Sequence, residues 1–257
     1  MSGIEKATAT GRTTRLANLR DLGGLRVRGD RVRTGVLFRA DDVSRSPDDE
    51  LTDLHGRGVR IVLDLRSLPE RELSPGTSET SGIECVHLPL LDVAVDPVAM
   101  ASVSSDIATP DDMGRWYATI AEQSAVSIVR GLEIIASQPH ATLFHCAAGK
   151  DRTGIFAGAV LSVLGADADV IVEDYARTAD VIDAVFARLA PHLDVDRGTP
   201  LDLVDADHPL LGAHPDTMTA MLGHLDRAHG GFAALLGDAG LDSRLTESLR
   251  TRLLSAG

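Results

Sequence analysis

Lysine is almost absent. Only Lys6 and Lys150 occur in 257 residues, while arginine is common. Much of that bias reads as genomic composition, yet the one lysine outside the N-terminal tail sits in a glycine-containing loop. Cysteine is scarce too, with Cys85 and Cys146 alone. Two cysteines in a chain this long make no disulfide framework, which fits a reducing compartment. No basic block interrupts a net charge of −13, which disfavours nucleic acid or an anionic membrane as the main partner. The longest apolar run, Ile155 to Leu164, is too short to span a bilayer. Residues 1–10 hold no apolar signal-peptide core. The expected location is the cytoplasm, with signal-less export left open. The histidines show no metal-ligand spacing and there is no Cys-x-x-Cys pair, so no metal and no other cofactor is expected. Gly149-Lys150 is no Walker A motif: Asp151 follows the lysine, and Phe144 stands where the first glycine belongs.

What is present is enough apolar content, 44%, for a real core. The length allows one large domain or two small ones. Residues 1–15 are small and polar and read as a disordered tail. Leu25 to Arg33, with Gly29-Asp30 at its centre, predicts a hairpin, and Val36 to Arg39 a strand. Ser46-Pro47-Asp48-Asp49-Glu50 starts a helix that ends at Gly56 or Gly58. Arg60 to Leu65 and Glu84 to Leu88 read as strands, and 92–109 as a loop or a loosely helical segment. Thr109-Pro110 starts an interrupted helix to about Gln138, and Asp169 to Leu189 is amphipathic at helical spacing. Prolines and glycines break the pattern over 191–216, and helices follow around 215–229, 230–237 and 241–254. Strands interleaved with helices argue for an α/β core. There is no internal repeat.

One stretch organises the chain. Ala141 to Phe144 is β-leaning, His145-Cys146-Ala147-Ala148-Gly149-Lys150-Asp151-Arg152-Thr153-Gly154 follows, and Ile155 to Leu164 is apolar and helical in length. Strand, tight loop, helix puts the loop at a helix N-terminus, where unpaired N–H groups and the dipole bind anions. Cys146 opens the loop beside Lys150, Arg152 and that N-terminus, surroundings that favour a thiolate. Arg152 offers a planar fork matched to two phosphate oxygens. A thiolate in a ring of N–H groups, facing an arginine, is built to attack phosphorus.

These residues resemble the cysteine-dependent protein tyrosine phosphatase superfamily, whose signature is His-Cys, five residues, then Arg-Ser/Thr. The loop is most similar to the bacterial branch typified by the mycobacterial protein tyrosine phosphatase B. Asn18 to Gly24, Leu37 to Ala40 and Val62 to Ser67 match it as well, so the resemblance spans roughly 16–236. It implies a single domain over 1–257: a central sheet flanked by helices, with a helical lid over about 166–230. It implies hydrolysis of phosphotyrosine, and in that branch also of phosphoserine/threonine and phosphoinositides, through a phosphocysteine. The partner is then a phosphoprotein or phosphoinositide substrate.

On this reading Cys146 is the nucleophile. The stretch Ala147, Ala148, Gly149, Lys150, Asp151, Arg152 and Thr153 binds phosphate, and His145 supports the loop. Thr153 caps the helix and hydrogen-bonds the sulfur. Asp151 is the leading candidate for general acid; Asp92, on an upstream loop, is second, and Asp64 third, because Asp64-Leu65-Arg66 suits an ion pair. Arg20, Asp21 and Arg39 are either ordinary surface charges or, as their place in the family pattern implies, buttress the site or touch substrate. Lys150 either reads a further phosphate, or favours the Cys146 thiolate or pairs with a neighbouring acid. Cys85 reads as core, with a protective backdoor thiol as the minor reading. Two rivals stand: a rhodanese-type sulfurtransferase, whose loop is typically one residue shorter, and a non-catalytic phosphate-binding module.

Overall fold

The level C-terminal ends of three buried parallel strands decide where the loop lies. The computed structural model describes residues 15–77, 81–91, 106–190 and 208–256. In chain order β1 is Arg20–Asp21, β2 Arg26–Val27, β3 Asp30–Val32 and β4 Leu37–Ala40. Helix α1 follows at Asp48–Gly56, with Asp48, Asp49 and Glu50 on its positive end. Then come β5 Val59–Asp64, α2 Leu68–Leu73 and β6 Glu84–His87. Helix α3 is Pro110–Gln123, with Thr109 and Asp112 capping each other reciprocally. Helix α4 is Ala125–Ser137 and β7 Ala141–His145. Helix α5, Asp151–Leu164, ends at Gly165 with φ +94°, a left-handed cap that disfavours a side chain. The remainder is α6 Ala168–Ala176, α7 Ile182–Leu189, α8 Pro215–His229, α9 Phe232–Asp238, α10 Ser243–Leu253 and β8 Leu254–Ala256.

The main sheet runs β1-β4-β7-β5-β6. All its pairings are parallel except β1 with β4. β7 lies in the middle, and its side chains are all buried, as a parallel strand covered on both faces requires. Alternation divides the core. Val59, Val62, Ala141 and Leu143 pack with Leu51 and Leu54 of α1 on one face. Ile61, Leu63 and Phe144 pack with α3, α4 and α5 on the other. Ala40, His145 and Asp64 are in register across β4, β7 and β5, so the segments after all three emerge at one edge. In an open parallel sheet that carboxyl edge is where ligands bind.

A small second sheet, β2-β3-β8, joins the hairpin to the C-terminus. Arginines of α10 tie the two sheets' helices together. Arg250 donates to the Leu164 carbonyl at 2.9 Å, and Arg252 to those of Gln138 and His140 at 2.7 Å, so both serve the carbonyl ends of α5 and α4.

The interruption expected in the helix running to about Gln138 falls at Ser124, whose side-chain hydroxyl donates to the Leu90 carbonyl. Other boundaries differ from the sequence reading. The amphipathic stretch over 169–189 divides at a 3-10 turn, Arg177–Val181. There Thr178 is fully buried and accepts from Arg20 at 3.2 Å. The last helix ends at Leu253, because Leu254–Ala256 pairs with β3 instead. Strand β1 and helix α2 were not foreseen. The expected tail up to residue 14, most of the 92–109 loop and 191–207 of the later break lie outside the described residues. Among the described residues no helix is long and apolar enough to cross a membrane.

Candidate active site

The loop hangs from the scaffold by its carbonyls. Ala147 O accepts from the Asp42 N–H at 3.0 Å. Asn18 Nδ2 donates to Ala148 O and Gly149 O, both at 3.1 Å, and Arg39 adds a bond to Gly149 O at 2.9 Å. With the carbonyls held outward, the N–H groups of 147–153 are left without an acceptor among the described residues. That is an anion cradle continuous with the N-terminus of α5. Gly149 makes the curl possible. Its φ is +68°, and a Cβ there would lie 2.6 Å from Ala40 O.

Arg20 and Arg39 buttress this loop. Arg39 is fully buried and pairs with Asp174 of α6 at 2.5 Å, and Arg20 pairs with the same carboxylate at 2.9 Å. Burial pushes the Asp174 carboxyl up, but the two arginines outweigh it and hold it below the usual range. Asp21 accepts from the N–H groups of Gly23 and Gly35, so it shapes turns away from the loop.

Cys146 sits at the base of the cradle with 1% of its surface exposed, and Arg152 has 4%. The Arg152 guanidinium grips Glu70 of α2 with two bonds, 2.5 and 2.8 Å. Glu70 also accepts from the Ser67 N–H and hydroxyl, which fixes it at the first turn of α2. Burial pushes the Glu70 carboxyl up, yet the Arg152 bonds outweigh it and bring it down to about 2. The same pair raises Arg152 above its ordinary value, against burial. Two of the five guanidinium N–H groups are thereby used, and three remain for a ligand.

Asp151 lies at the mouth, and one of its oxygens, Oδ1, accepts from the Tyr117 hydroxyl and makes an ion pair with Lys150 Nζ at 3.3 Å. Lys150 is 2% exposed, and its ammonium donates to the carbonyls of Leu210 and, at 3.1 Å, Gly212. It is thus spent on a neighbouring acid and on the 208–213 stretch. Gly154 lets Tyr175 come close, since a Cβ there would lie 2.9 Å from that ring.

His145 donates from Nδ1 to the Cys146 carbonyl at 3.0 Å, and its Nε2 lies 3.8 Å from Asp64. Burial pushes the ring below its ordinary value, so it is neutral and braces the loop. Asp64 is fully buried and gripped by Arg66 at 2.7 and 2.8 Å, which leaves it no access to a ligand. Asp92 lies outside the described residues. Thr153 differs from expectation: its hydroxyl is buried with no hydrogen-bond partner among the described residues, the Cys146 sulfur included. The backdoor reading of Cys85 also fails. Cys85 pairs with Val62 and Val62 with Leu143, so Cys85 is two strands over and three residues short of Cys146. Two strand spacings alone are about 9–10 Å, beyond the ~7 Å a disulfide allows.

Sequence reasoning missed Glu70, Tyr117, Tyr175 and Asp174. Glu70 carried a signal, the Ser67-to-Glu70 capping box after a strand end. Tyr117 and Tyr175 are the chain's only tyrosines, and both lie here.

Glu70 and Asp64 make acid stability measurable. Both carboxyls stand at about 2, against ordinary values of 4.5 and 3.8. Their native values are depressed, so the unfolded chain binds more protons at acid pH. The stabilisation is complete above about pH 4.5 and is lost as pH falls through about 2, each group adding up to ~1.4 kcal/mol per pH unit in between. Urea unfolding at stepped pH should show this slope, and Glu70→Gln should make it shallower. An unchanged slope in that variant would mean that the Arg152–Glu70 pair carries no such linkage.

A cysteine thiol, a clamped guanidinium and inward N–H groups together can hold a tetrahedral anion against a sulfur nucleophile. The comparisons agree. The profile of the tyrosine phosphatase family matches residues 12–255. The triple specificity protein phosphatase PtpB of Mycobacterium tuberculosis is 28% identical, covering 87% of this chain and 92% of its own. A tyrosine-protein phosphatase of Nostoc commune is 27% identical, covering 90% of this chain and 78% of its own. With the profile running nearly end to end and the whole loop inside it, this chain belongs to the tyrosine phosphatase family and is a protein-tyrosine phosphatase.

Proposed function

We propose that Cys146 is the nucleophile of this phosphatase, with Asp151 as general acid and Arg152 as the phosphoryl clamp. The observation that carries it is the single thiol at the base of N–H groups 147–153, with Arg152 held beside it by Glu70. Cys146 Sγ attacks phosphorus as the ester P–O bond breaks, and Asp151 gives its proton to the leaving oxygen. The phosphocysteine is then hydrolysed: water attacks phosphorus, its proton passes to Asp151, and the S–P bond breaks. Arg152 and the N–H groups bind the equatorial oxygens, where charge is held through both steps. Neutral His145 braces the loop and is no base. The unpartnered Thr153 hydroxyl is free to donate to the leaving thiolate in the second step.

Access requires movement. A thiol and a guanidinium this deeply covered admit no phosphoprotein side chain until part of 166–230 lifts. The 208–213 carbonyls that hold Lys150 are the contact to be broken. We read that region as a lid on a single domain, in a chain whose two free cysteines suit the cytoplasm.

Substrate range follows from Lys150. Its ammonium pairs with Asp151 within the loop, a contact that lid opening leaves in place, so a phosphotyrosine peptide, which carries no second phosphate, is the preferred substrate. The mycobacterial relative's triple specificity makes phosphoserine peptides and phosphoinositides the comparison to run. Side-by-side turnover should rank the phosphotyrosine peptide first by kcat/KM. A phosphoinositide turned over faster, and slowed selectively by Lys150→Ala, would reassign the enzyme to lipid headgroups. Cyanolysis of thiosulfate would move it to the sulfurtransferases.

A further inference from the structure

We infer that Tyr117, backed by Tyr175, is a positioning residue for Asp151, fixing which carboxyl oxygen carries the transferred proton. This rests on the reading of Asp151 as general acid. Tyr117 stands on α3 and Tyr175 on α6, yet their hydroxyls are 3.0 Å apart and their rings cross edge to face at 84°. Tyr117 donates its one hydroxyl proton to Asp151 Oδ1. Its oxygen is therefore the acceptor toward Tyr175, and the direction of the chain is set: Tyr175 donates to Tyr117, and Tyr117 to Asp151. Donation from Tyr175 polarises the Tyr117 hydroxyl and strengthens its own donation.

Both side chains are almost wholly buried. Burial, with the Asp151 charge next, pushes both phenols above their ordinary value, so they remain protonated donors across the working range. A buried hydroxyl is costly unless partnered. Phenylalanine would fill the same ring space, so packing alone does not call for either oxygen. Among the described residues, the bonds of these two hydroxyls lead to the Asp151 carboxylate.

The consequence is an asymmetric carboxyl. Oδ1 accepts from Tyr117 and lies 3.3 Å from the Lys150 ammonium, and so is the poorer place for a proton. In the protonated carboxyl that acts as acid, the proton is placed on Oδ2. When the ester P–O bond breaks, it passes from Oδ2 to the leaving oxygen, and Oδ1 remains anchored. When water attacks the phosphocysteine, its proton returns to Oδ2. Tyr117 transfers nothing; it holds the carboxyl plane so that Oδ2 meets the leaving oxygen in both steps.

The test compares leaving groups. Tyr117→Phe and Tyr175→Phe are assayed on a phosphotyrosine peptide, whose leaving group needs a proton, and on p-nitrophenyl phosphate, whose leaving group hardly does. Tyr117→Phe should lose about tenfold in kcat on the peptide and less than about twofold on the activated ester, with KM little changed. Tyr175→Phe should show the same pattern at about threefold. Combined with Asp151→Asn, Tyr117→Phe should add no further loss on the peptide. Equal losses on both substrates would make Tyr117 a packing residue and overturn the inference, as would no loss at all. Should Tyr117→Phe fail to fold, Tyr175→Phe carries the same comparison. Asp151→Asn is run alone as well. If it shows the leaving-group difference and the tyrosine variants do not, only the positioning role falls. If Asp151→Asn itself shows none, the acid assignment falls with it.

Discussion

Cys146→Ser should abolish turnover and leave phosphate-ester binding intact. A serine hydroxyl stays protonated at neutral pH, and His145 cannot take its proton. Its Nδ1 is committed to the Cys146 carbonyl, and its Nε2 faces Asp64. The N–H groups of 147–153 and the Arg152 fork are untouched by the substitution, so the anion cradle survives. Losing the nucleophile costs several decades, so kcat should fall by more than about 10³. A phosphotyrosine peptide should still bind within a few-fold of the wild-type Kd. The silent variant also gives a stable complex in which to watch the cover. Hydrogen exchange over 208–229 should rise on peptide binding, as the Leu210 and Gly212 carbonyls give up Lys150. Retention of more than roughly one per cent of kcat would rule out the thiolate mechanism. Unaltered exchange over 208–229 would rule out the lid.

The loop was legible because its signal is contiguous. A β-leaning run, a cysteine, two glycines, an arginine and an apolar helix follow one another without a gap. Nothing has to be known about distant chain to place Cys146 and Arg152 together at a helix N-terminus. The α/β class was legible for the same local reason: Val59–Asp64 and Ala141–His145 are short, apolar and separated by long helical patterns. What stayed hidden is what the fold brings in from elsewhere. Glu70 reaches Arg152 across 82 positions and Asp174 reaches Arg39 across 135. A buried ion pair leaves no period in sequence, since each member sits on an element that already satisfies its own pattern. Tyr117 and Tyr175 read as ordinary apolar positions on amphipathic helices, because their rings do serve the core and only their hydroxyls serve Asp151. Strand β8 was hidden for another reason. Leu254–Ala256 continues the helical register of α10, and only the unpaired edge of β3 draws it away. The thiol at Cys85 shows the limit of composition. Whether two cysteines can meet depends on strand order, and β5 stands between them.

Arg152→Lys should be nearly as damaging as loss of the thiol, although it preserves the charge. The guanidinium does two things at once. Two N–H groups grip Glu70, and the other three, in the same rigid plane, have no hydrogen-bond partner among the described residues. An ammonium is a point with three donors on a flexible stem. It can face Glu70 or the phosphoryl oxygens, and it cannot hold both bidentately. Lys150 does not step in, because its ammonium stays paired with Asp151 and offers no planar fork. Removing one preorganised donor to a developing oxyanion typically costs about 10²–10³ in kcat, and here a bidentate pair is lost, so the expected fall is about 10³. Glu70 is mostly buried, with 17% of its side chain exposed, and a buried carboxylate stripped of its fork destabilises the fold by up to about 3 kcal/mol. The two effects separate in a double-mutant cycle with Glu70→Gln. The stability losses should couple strongly, because each single change breaks one pair. The kcat losses should stay dominated by Arg152→Lys, with Glu70→Gln alone costing about tenfold through a looser clamp. If Arg152→Lys kept more than a tenth of wild-type kcat, planar recognition of the phosphoryl group would not be what this loop supplies.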